Sequence, residues 1–170
     1  MLIISFFGCT RNSGYPASIL MLRAWSPYQV QVHYVDSSHI TVTDKYTGLR
    51  TTTDTVIIKD TSYLASDCQR NSIYQFKGSG IQTITDACNP STPAYNCNWG
   101  FTQDQQLYFS QFIFGTVYNI GRLSEVDASR FAFNTVLNQY AFGNYTNAGG
   151  SSVSTYDAFI TSTTLTFKNR

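Results

Sequence analysis

Alternation of apolar and polar residues is the feature that most limits what this chain can fold into. Over residues 28–35, Val30, Val32 and Tyr34 alternate with polar side chains. A period of two places successive side chains on opposite faces of a β-strand, so that one face can be buried. Aromatic residues favour the same conformation, and the chain contains 12 Tyr and 12 Phe. The sequence therefore predicts a β-rich fold.

Turn residues divide this pattern into several strands. Asp36-Ser37-Ser38 predicts a turn that joins strands 28–35 and 39–46 into a hairpin. The other predicted strands, rich in β-branched and aromatic residues, are 49–59, 73–77, 81–85, 106–114, 115–120 and 156–168. A helix over 103–112 is an alternative for one of them, because Thr102 and Gln105 have the spacing of a capping box.

One α-helix is predicted near the C-terminal end, over about 124–142. Ser124 and Asp127 resemble a capping box, and two acidic residues in the first turn favour the positive end of the helix dipole. Gly143 follows as a helix-terminating residue. The apolar residues at helical spacing are Phe133, Val136, Leu137 and Tyr140.

The predicted elements give one domain with an all-β, mainly antiparallel fold. A chain of 170 residues can bury roughly 70% of its unfolded surface without additional staples. The order of strands predicts a barrel or a sandwich of about eight strands, followed by the C-terminal helix and a last strand. This succession is similar to the lipocalin plan, and Gly121-Arg122 before the helix is loosely like the basic residue of that family. The family's Gly-x-Trp signature is absent, because Arg23 and Ala24 precede Trp25.

The first nine residues resemble the end of a bacterial lipoprotein signal. An apolar run, residues 2–7, leads to Gly8-Cys9, and the chain then becomes polar. The resemblance implies that Cys9 is lipidated, that residues 1–9 are a signal remnant and that residues 10–170 are a single β-rich domain. The alternative is an N-terminal strand in which Cys9 is a buried thiol.

Composition favours a location outside the cytoplasm. Charged residues make up 12% of the chain, about half the usual fraction of a soluble domain. The net charge of +1 is too small to attract nucleic acid, or an anionic membrane, electrostatically. No apolar stretch is long enough for a transmembrane helix. We therefore expect a protein of the cell envelope (outer membrane or periplasm) or a secreted one, with membrane contact only through a lipid anchor.

The remaining cysteines are expected to include a disulfide. Cys88 and Cys97 enclose a short loop stiffened by two prolines, which favours a bridge between them. Bridges from Cys68 to either residue are the alternatives. The spacing lacks the close cysteine or histidine pairs of a zinc site, so neither a metal nor another cofactor is expected.

Residues with catalytic potential are few. His33 and His39 are expected in adjacent strands, where they are either an acid-base or metal pair or two ordinary polar-face residues. Most aspartates lie in turn-like contexts, where their side chains bond the local backbone. No catalytic residue is assigned, and a non-catalytic protein is favoured over a small hydrolase.

Aromatic residues near the cysteine loop are the candidate binding site. Trp99 follows the loop, and an aromatic side chain on a stiff loop is a good platform for a glycan or an apolar ligand. The alternative is that Trp99 folds inward. Together with Trp25 and Tyr95 it predicts a binding module for a small hydrophobic molecule or a glycan. The main alternative is a structural or adhesive surface protein that assembles with itself or with protein partners.

Overall fold

A computed structural model of the chain describes residues 15–110 and 120–170. Within these residues it has two short helices, α1 (Tyr15–Met21) and α2 (Asp67–Asn71). Neither helix is long and apolar enough to cross a membrane. The expected signal remnant 1–9, the lipidation of Cys9 and nearly all of the predicted strand 115–120 lie outside the described residues.

The described residues form nine strands joined in one antiparallel sheet, which confirms the predicted all-β, mainly antiparallel class. The predicted strands 73–77 and 81–85 are confirmed almost to the residue. The strands are β1 (Ala24–Thr43), β2 (Arg50–Leu64), β3 (Ile73–Phe76), β4 (Ile81–Thr85), β5 (Tyr95–Phe101), β6 (Leu107–Phe109), β7 (Ile120–Val126), β8 (Arg130–Thr146) and β9 (Ser152–Asn169).

The predicted turn at Asp36-Ser37-Ser38 is wrong, because β1 runs through it without interruption. Asp36 pairs with Ile57 of β2 on one side and with Phe159 of β9 on the other. Two ladders therefore override the local preference of these residues for a turn. The chain turns instead after Asp44, whose carboxylate accepts hydrogen bonds from two backbone N–H groups of the turn.

The predicted helix 124–142 is also wrong. Strands β7 and β8 occupy this region, and a tight turn at residues 127–129 joins them. The Asp127 carboxylate accepts hydrogen bonds from the backbone N–H groups of Ser129 and Arg130, so the acidic residues cap a turn and not a helix. Strand β8 pairs with β9 along its whole length, and the helix on which the lipocalin-like resemblance depended is not observed.

Eight of the strands close into a ring of pairings. The start of β1 pairs with β3 on one side and with the end of β9 on the other, and β3 to β9 pair in succession. We call this part the ring: β3–β7, the start of β1 to Val30, residues 130–134 and residues 165–169. Both register irregularities that interrupt a strand pairing, at Pro27–Gln29 and Leu123–Glu125, lie in the ring.

The other part of the sheet extends beyond the ring. Strands β2, β1, β9 and β8, in that order, continue as a four-stranded antiparallel sheet. We call it the extension: residues 31–43, 50–64, 135–146 and 152–164. Every residue of β2 is exposed, so no second layer covers this strand within the described part of the chain.

The ring holds the hydrophobic core. Phe131 lies at its centre, stacked on Phe167 at 4.5 Å and in edge contact with Trp25 at 5.0 Å between ring centroids. Such aromatic pairs contribute about 0.5–1.5 kcal/mol beyond the burial of their surface. The core residues are Leu20, Trp25, Val30, Tyr74, Phe76, Ile84, Cys97, Trp99, Leu107, Phe109, Phe131, Phe133, Leu165 and Phe167.

The expected disulfide between Cys88 and Cys97 is wrong. The bridge joins Cys68 of α2 to Cys88, one of the two alternatives weighed above. Cys97 lies on β5 with its side chain inside the ring, on the same strand face as Trp99, and is a free thiol. Cys88 lies in the loop after β4, and its backbone N–H donates a hydrogen bond to the Asp86 carboxylate. Because side chains alternate between the two faces of β5, the Cys97 side chain points into the ring and not toward the loop that contains Cys88.

Candidate functional site

The aromatic residues predicted to bind a ligand are parts of the ring. Trp99 is only 5% exposed, and its indole N–H donates to the carbonyl of Lys77 at 3.0 Å. Trp25 is fully buried and donates to the carbonyl of Leu20 at 2.9 Å. Tyr95 is half-buried against the core, and burial raises the pKa of its hydroxyl. These three residues therefore form no exposed aromatic platform.

Within the described residues, the interior of the ring holds the side chains of the hydrophobic core. Cys97 Sγ lies inside it and donates to Gln82 Oε1 at 3.1 Å, and burial raises the pKa of this thiol. A raised pKa keeps the thiol protonated and unreactive. Three grooves of about 370, 710 and 570 Å³ lie at the surface. Two of them lie on the extension, one beside His33 and one beside His39.

The two histidines lie on the same strand and not in adjacent strands. His33 Nδ1 is 2.7 Å from Asp60 Oδ1, and His39 Nδ1 is 2.5 Å from Asp54 Oδ1. The rise per residue of a strand separates the two pairs by roughly 20 Å. Since the turn between them does not exist, they cannot act together as one acid-base pair. Residues 15–110 and 120–170 contain no group of three or more potential metal ligands of the His, Cys, Asp and Glu types.

The face of the extension that carries both histidines, which we call the histidine face, has apolar residues between the two His–Asp pairs. In one row across the sheet, Ile58 is opposite Val35, which is opposite Ile160. The next row contains Val56 and Tyr140. Ile58 and Val56 are each 60% exposed.

Aromatic residues continue this apolar surface toward β8. Tyr156 stacks on Tyr140 at 6.1 Å and contacts Phe142 at 5.0 Å between ring centroids, yet Phe142 remains 75% exposed. Contiguous apolar surface of this kind marks an interaction site more often than isolated exposed residues do.

Both outer strands of the extension have an open edge within the described residues. Strand β2 pairs only with β1, and β8 pairs only with β9 after Asn134. The open edges are therefore β2 and residues 135–146. Each edge presents a row of backbone N–H and C=O groups that a further strand can bond.

Hydrogen bonds at the ends of the two hairpins determine which residues point outward. Asp44 N donates to Leu49 O at 2.8 Å, and Ala65 N donates to Tyr28 O at 2.8 Å. Because hydrogen-bonded and non-hydrogen-bonded pairs alternate in an antiparallel ladder, the odd-numbered residues of β2 bond β1. The even-numbered residues of β2 point their backbone groups to the open edge, and their side chains lie on the histidine face.

The second hairpin gives the same result for β8. Asn147 N donates to Ser151 O at 3.0 Å, and Asn169 N donates to Ser129 O at 2.8 Å. Odd-numbered residues of β8 therefore bond β9, and even-numbered residues from Val136 onward point their backbone groups outward. The side chains of these even-numbered residues also lie on the histidine face.

The two edges differ in charge. Strand β2 contains Arg50, Asp54, Lys59 and Asp60, whereas residues 135–146 contain no charged side chain. Charged residues on an edge strand normally discourage pairing with another chain. In β2, both aspartates are turned toward the histidines of β1, and the β8 edge has no such protection.

The edge on β8 is not evident from the sequence, because the predicted helix over about 124–142 covers most of this strand. A signal was present: residues 131–146 are rich in Phe, Tyr, Thr and Val, and such content favours strands. The accidental helical spacing of four apolar residues concealed it.

Comparisons with known proteins identify no family for this chain. No family model and no curated protein match it. Among solved structures, it is similar to the secretin domain β-barrel of InvG from the Salmonella SPI-1 injectisome, with 8% sequence identity and a TM-score of 0.25. The match covers 87% of this chain and 62% of the other. A similarity of this size supports no functional conclusion.

Proposed function

We propose that this protein is a structural module that assembles with copies of itself through the extension. The observation that carries the proposal is a four-stranded sheet whose strand β2 is exposed throughout and which, within the described residues, has an open strand edge on each side. The ring is the independently packed part that holds the extension in place. A surface protein that assembles with itself is also the main alternative to a ligand-binding module that the sequence predicts.

The proposal explains why apolar residues of the extension are exposed to solvent in a single copy of the chain. Ile57, Tyr145 and Ile40 are exposed on the face opposite the histidine face, so both faces of the extension carry apolar surface. A sheet without a covering layer gains little stability from burial. Pairing with another copy extends the ladder and covers side chains at the edges, where each suitable cross-strand pair contributes about 0.2–1 kcal/mol.

The packed ring favours assembly over carriage of a small ligand. A carrier needs an apolar cavity of a few hundred Å³, commonly inside the strands. Here the corresponding space holds Phe76, Trp99, Phe131 and other core side chains. The three grooves described above are open surface features.

We also propose a location outside the cytoplasm. The Cys68–Cys88 disulfide supports it, because such bonds persist mainly in oxidising compartments. The lipid anchor at Cys9 stays a prediction. Intact-mass analysis of the mature protein from its host tests it: an acylated species that begins at Cys9 is expected, and an unmodified start at Met1 contradicts it.

Sedimentation velocity over a concentration series of the full chain tests the assembly. We expect species larger than the monomer whose fraction rises with concentration. In Asn138→Pro, which lacks an outward-pointing N–H of β8, we expect association at least about tenfold weaker. The bonds of β8 to β9 do not use this N–H, so the near-UV circular dichroism of the ring should be unchanged.

Two matched glutamine variants separate an edge effect from a general charge effect. Gln139→Lys places a cation on the open edge of β8, while Gln75→Lys places one on β3, which is paired on both sides. Both residues are exposed. We expect only Gln139→Lys to weaken association. A chain that stays monomeric at every concentration reached would rule out the proposed function.

A further inference from the structure

We infer that the joint between copies is formed by β2 of one copy and residues 135–146 of the next, paired antiparallel. This inference rests on the proposed function and specifies its partner and its geometry. The joint is heterologous, so the same contact repeats from copy to copy and each copy contributes four strands to a continuous sheet.

Strand direction supports a joint between unlike edges. In the extension, each strand runs antiparallel to its neighbour in the order β2, β1, β9, β8. With four strands, the two outer ones run in opposite directions. A second copy placed beside the first in the same orientation therefore presents its β8 antiparallel to β2, and the alternation of the sheet continues unbroken.

The faces of the sheet match across the same joint. Residues directly opposite each other in an antiparallel ladder have side chains on one face. The outward-pointing residues of β2 and of β8 are both even-numbered, and both sets have side chains on the histidine face. Hydrogen bonding between the two edges therefore brings histidine face beside histidine face. A one-residue slip would break both the bonding pattern and the faces.

Charge disfavours the main alternative, a two-fold joint of β2 with β2. In the register that pairs all 15 residues of β2, Asp54 lies opposite Asp60 of the other copy, and Asp60 opposite Asp54. Like charges directly opposite each other destabilise a sheet. In the heterologous joint these aspartates meet only uncharged residues, since the β8 edge contains no charged side chain.

The two His–Asp pairs keep the aspartate side chains of β2 from facing a strand that pairs with its open edge. Asp60 and Asp54 contact His33 and His39 on the inner neighbour β1, so their carboxylates are directed away from the open edge. The edge strand thus carries its negative charge beside imidazole groups of its own copy.

A repeated heterologous joint has a consequence for the form of the assembly. It closes into a ring or tube of copies when the rotation between neighbours closes, and otherwise gives an open helical filament. Either form uses both edges of every interior copy. A two-fold joint uses one edge and leaves the other open.

Cysteine cross-linking tests the joint. Thr55→Cys on β2 is combined with Gln139→Cys, Ala141→Cys or Leu137→Cys on β8 to sample the register. All these side chains lie on the face opposite the histidine face. Within one copy the two strands are separated by three spacings of about 4.8 Å, which is beyond disulfide reach. Oxidation of at least one double variant should therefore give a ladder of disulfide-linked multimers.

Single variants and one double variant serve as controls. Thr55→Cys alone and Ala141→Cys alone should give no more cross-linked product than the parent chain, which carries its native cysteines. Thr55→Cys with Tyr140→Cys should also fail, because Tyr140 lies on the histidine face. Mass spectrometry of the linked peptides identifies the joined residues.

The outcomes separate this inference from the proposed function. Ile57→Cys alone tests the two-fold β2 joint, because Ile57 lies opposite itself in the register that pairs all 15 residues of β2. A strong disulfide-linked dimer of this single variant would show that joint and overturn the inference alone. Multimers with no cross-link in any β2–β8 combination would also overturn it. Absence of association in the parent chain would remove both the inference and the proposed function.

Discussion

The ring and the extension belong to one sheet, yet they are stabilised in different ways. In the ring, each strand has two neighbours and one face packed against aromatic side chains, with Phe131 and Phe167 completely buried. In the extension, the outer strands have one neighbour among the residues that the structure describes, and residues such as Phe142 face water. The same strand can therefore contribute to a folded core at one end and to a solvent-exposed surface at the other. Strand β8, of 17 residues, buries Phe131 and exposes Phe142.

Phenylalanine truncations on β8 should show the largest contrast. Phe131→Ala leaves a cavity in the ring and is expected to lower the free energy of unfolding by about 3–5 kcal/mol. Phe142→Ala removes an exposed ring and is expected to cost less than about 1 kcal/mol. Urea unfolding at low protein concentration measures both. Equal losses would mean that the extension has a core of its own.

The disulfide should stabilise the ring more than any single contact in the extension. Cys68→Ser combined with Cys88→Ser opens a loop with a sequence separation of 20, and we expect a loss of about 3 kcal/mol. Chemical denaturation of the double variant and the parent measures the difference. A loss below about 1 kcal/mol would show that α2 stays docked without the bridge.

Substitution of one glycine in the ring and one in the extension tests how tightly each part is packed. A Cβ at Gly121 would lie 2.2 Å from the backbone oxygen of Asn134, whereas at Gly143 it would meet the side-chain oxygen of Thr155 at 2.7 Å. Backbone cannot move aside as a side chain can, so Gly121→Ala should cost about 1–3 kcal/mol and Gly143→Ala clearly less. Thermal unfolding of both variants checks the order, and a reversed order would contradict the comparison.

Lowering the pH should have the smallest effect on stability, confined to the turns that contain Asp44 and Asp127. Hydrogen bonds from Thr47 and Tyr46 lower the pKa of Asp44 at the tip of the extension. In the turn that joins β7 to β8, beside the ring, hydrogen bonds from Ser129 and Arg130 lower the pKa of Asp127. A lowered folded-state pKa stabilises the fold above the unfolded value near 4, and this contribution is lost as the pH falls through the folded pKa.

Hydrogen exchange at decreasing pH distinguishes the two turns. We expect amides near Asp44 to lose protection first, because no core supports that hairpin, while the backbone near Asp127 stays protected by the ring. In Asp44→Asn, protection of the tip should no longer depend on acid in this range. Simultaneous loss at both turns would indicate that ring and extension unfold as one unit.

The fold class was predictable from sequence because alternation and aromatic content are local signals. The ends of long strands were not, since they depend on neighbours distant in sequence. Asp36-Ser37-Ser38 has turn chemistry, but pairing with Ile57 and Phe159 on both sides holds it in β1. Local patterns describe a short strand well and cannot show that a strand continues through a polar segment.

The candidate site was least predictable. The position of Trp99 after a stiff loop predicts a binding platform that includes Trp25, but packing places both residues inside the ring. The open edges have no residue motif, because an edge is defined by a strand that is absent beside it. Residues 135–146 became recognisable as an edge only when the pairing order was known.

The register of the extension is uninterrupted, so the length of this sheet depends directly on the number of residues in each strand. From Gln29 to Thr43 and from Arg130 to Thr146 the pairings proceed without a shift. Adding two residues to each of the four strands would lengthen the sheet by about 6.8 Å and keep every side chain on its face. In the proposed assembly, the height of the continuous sheet would therefore be set by strand length, which can change in steps of two residues without change to the ring.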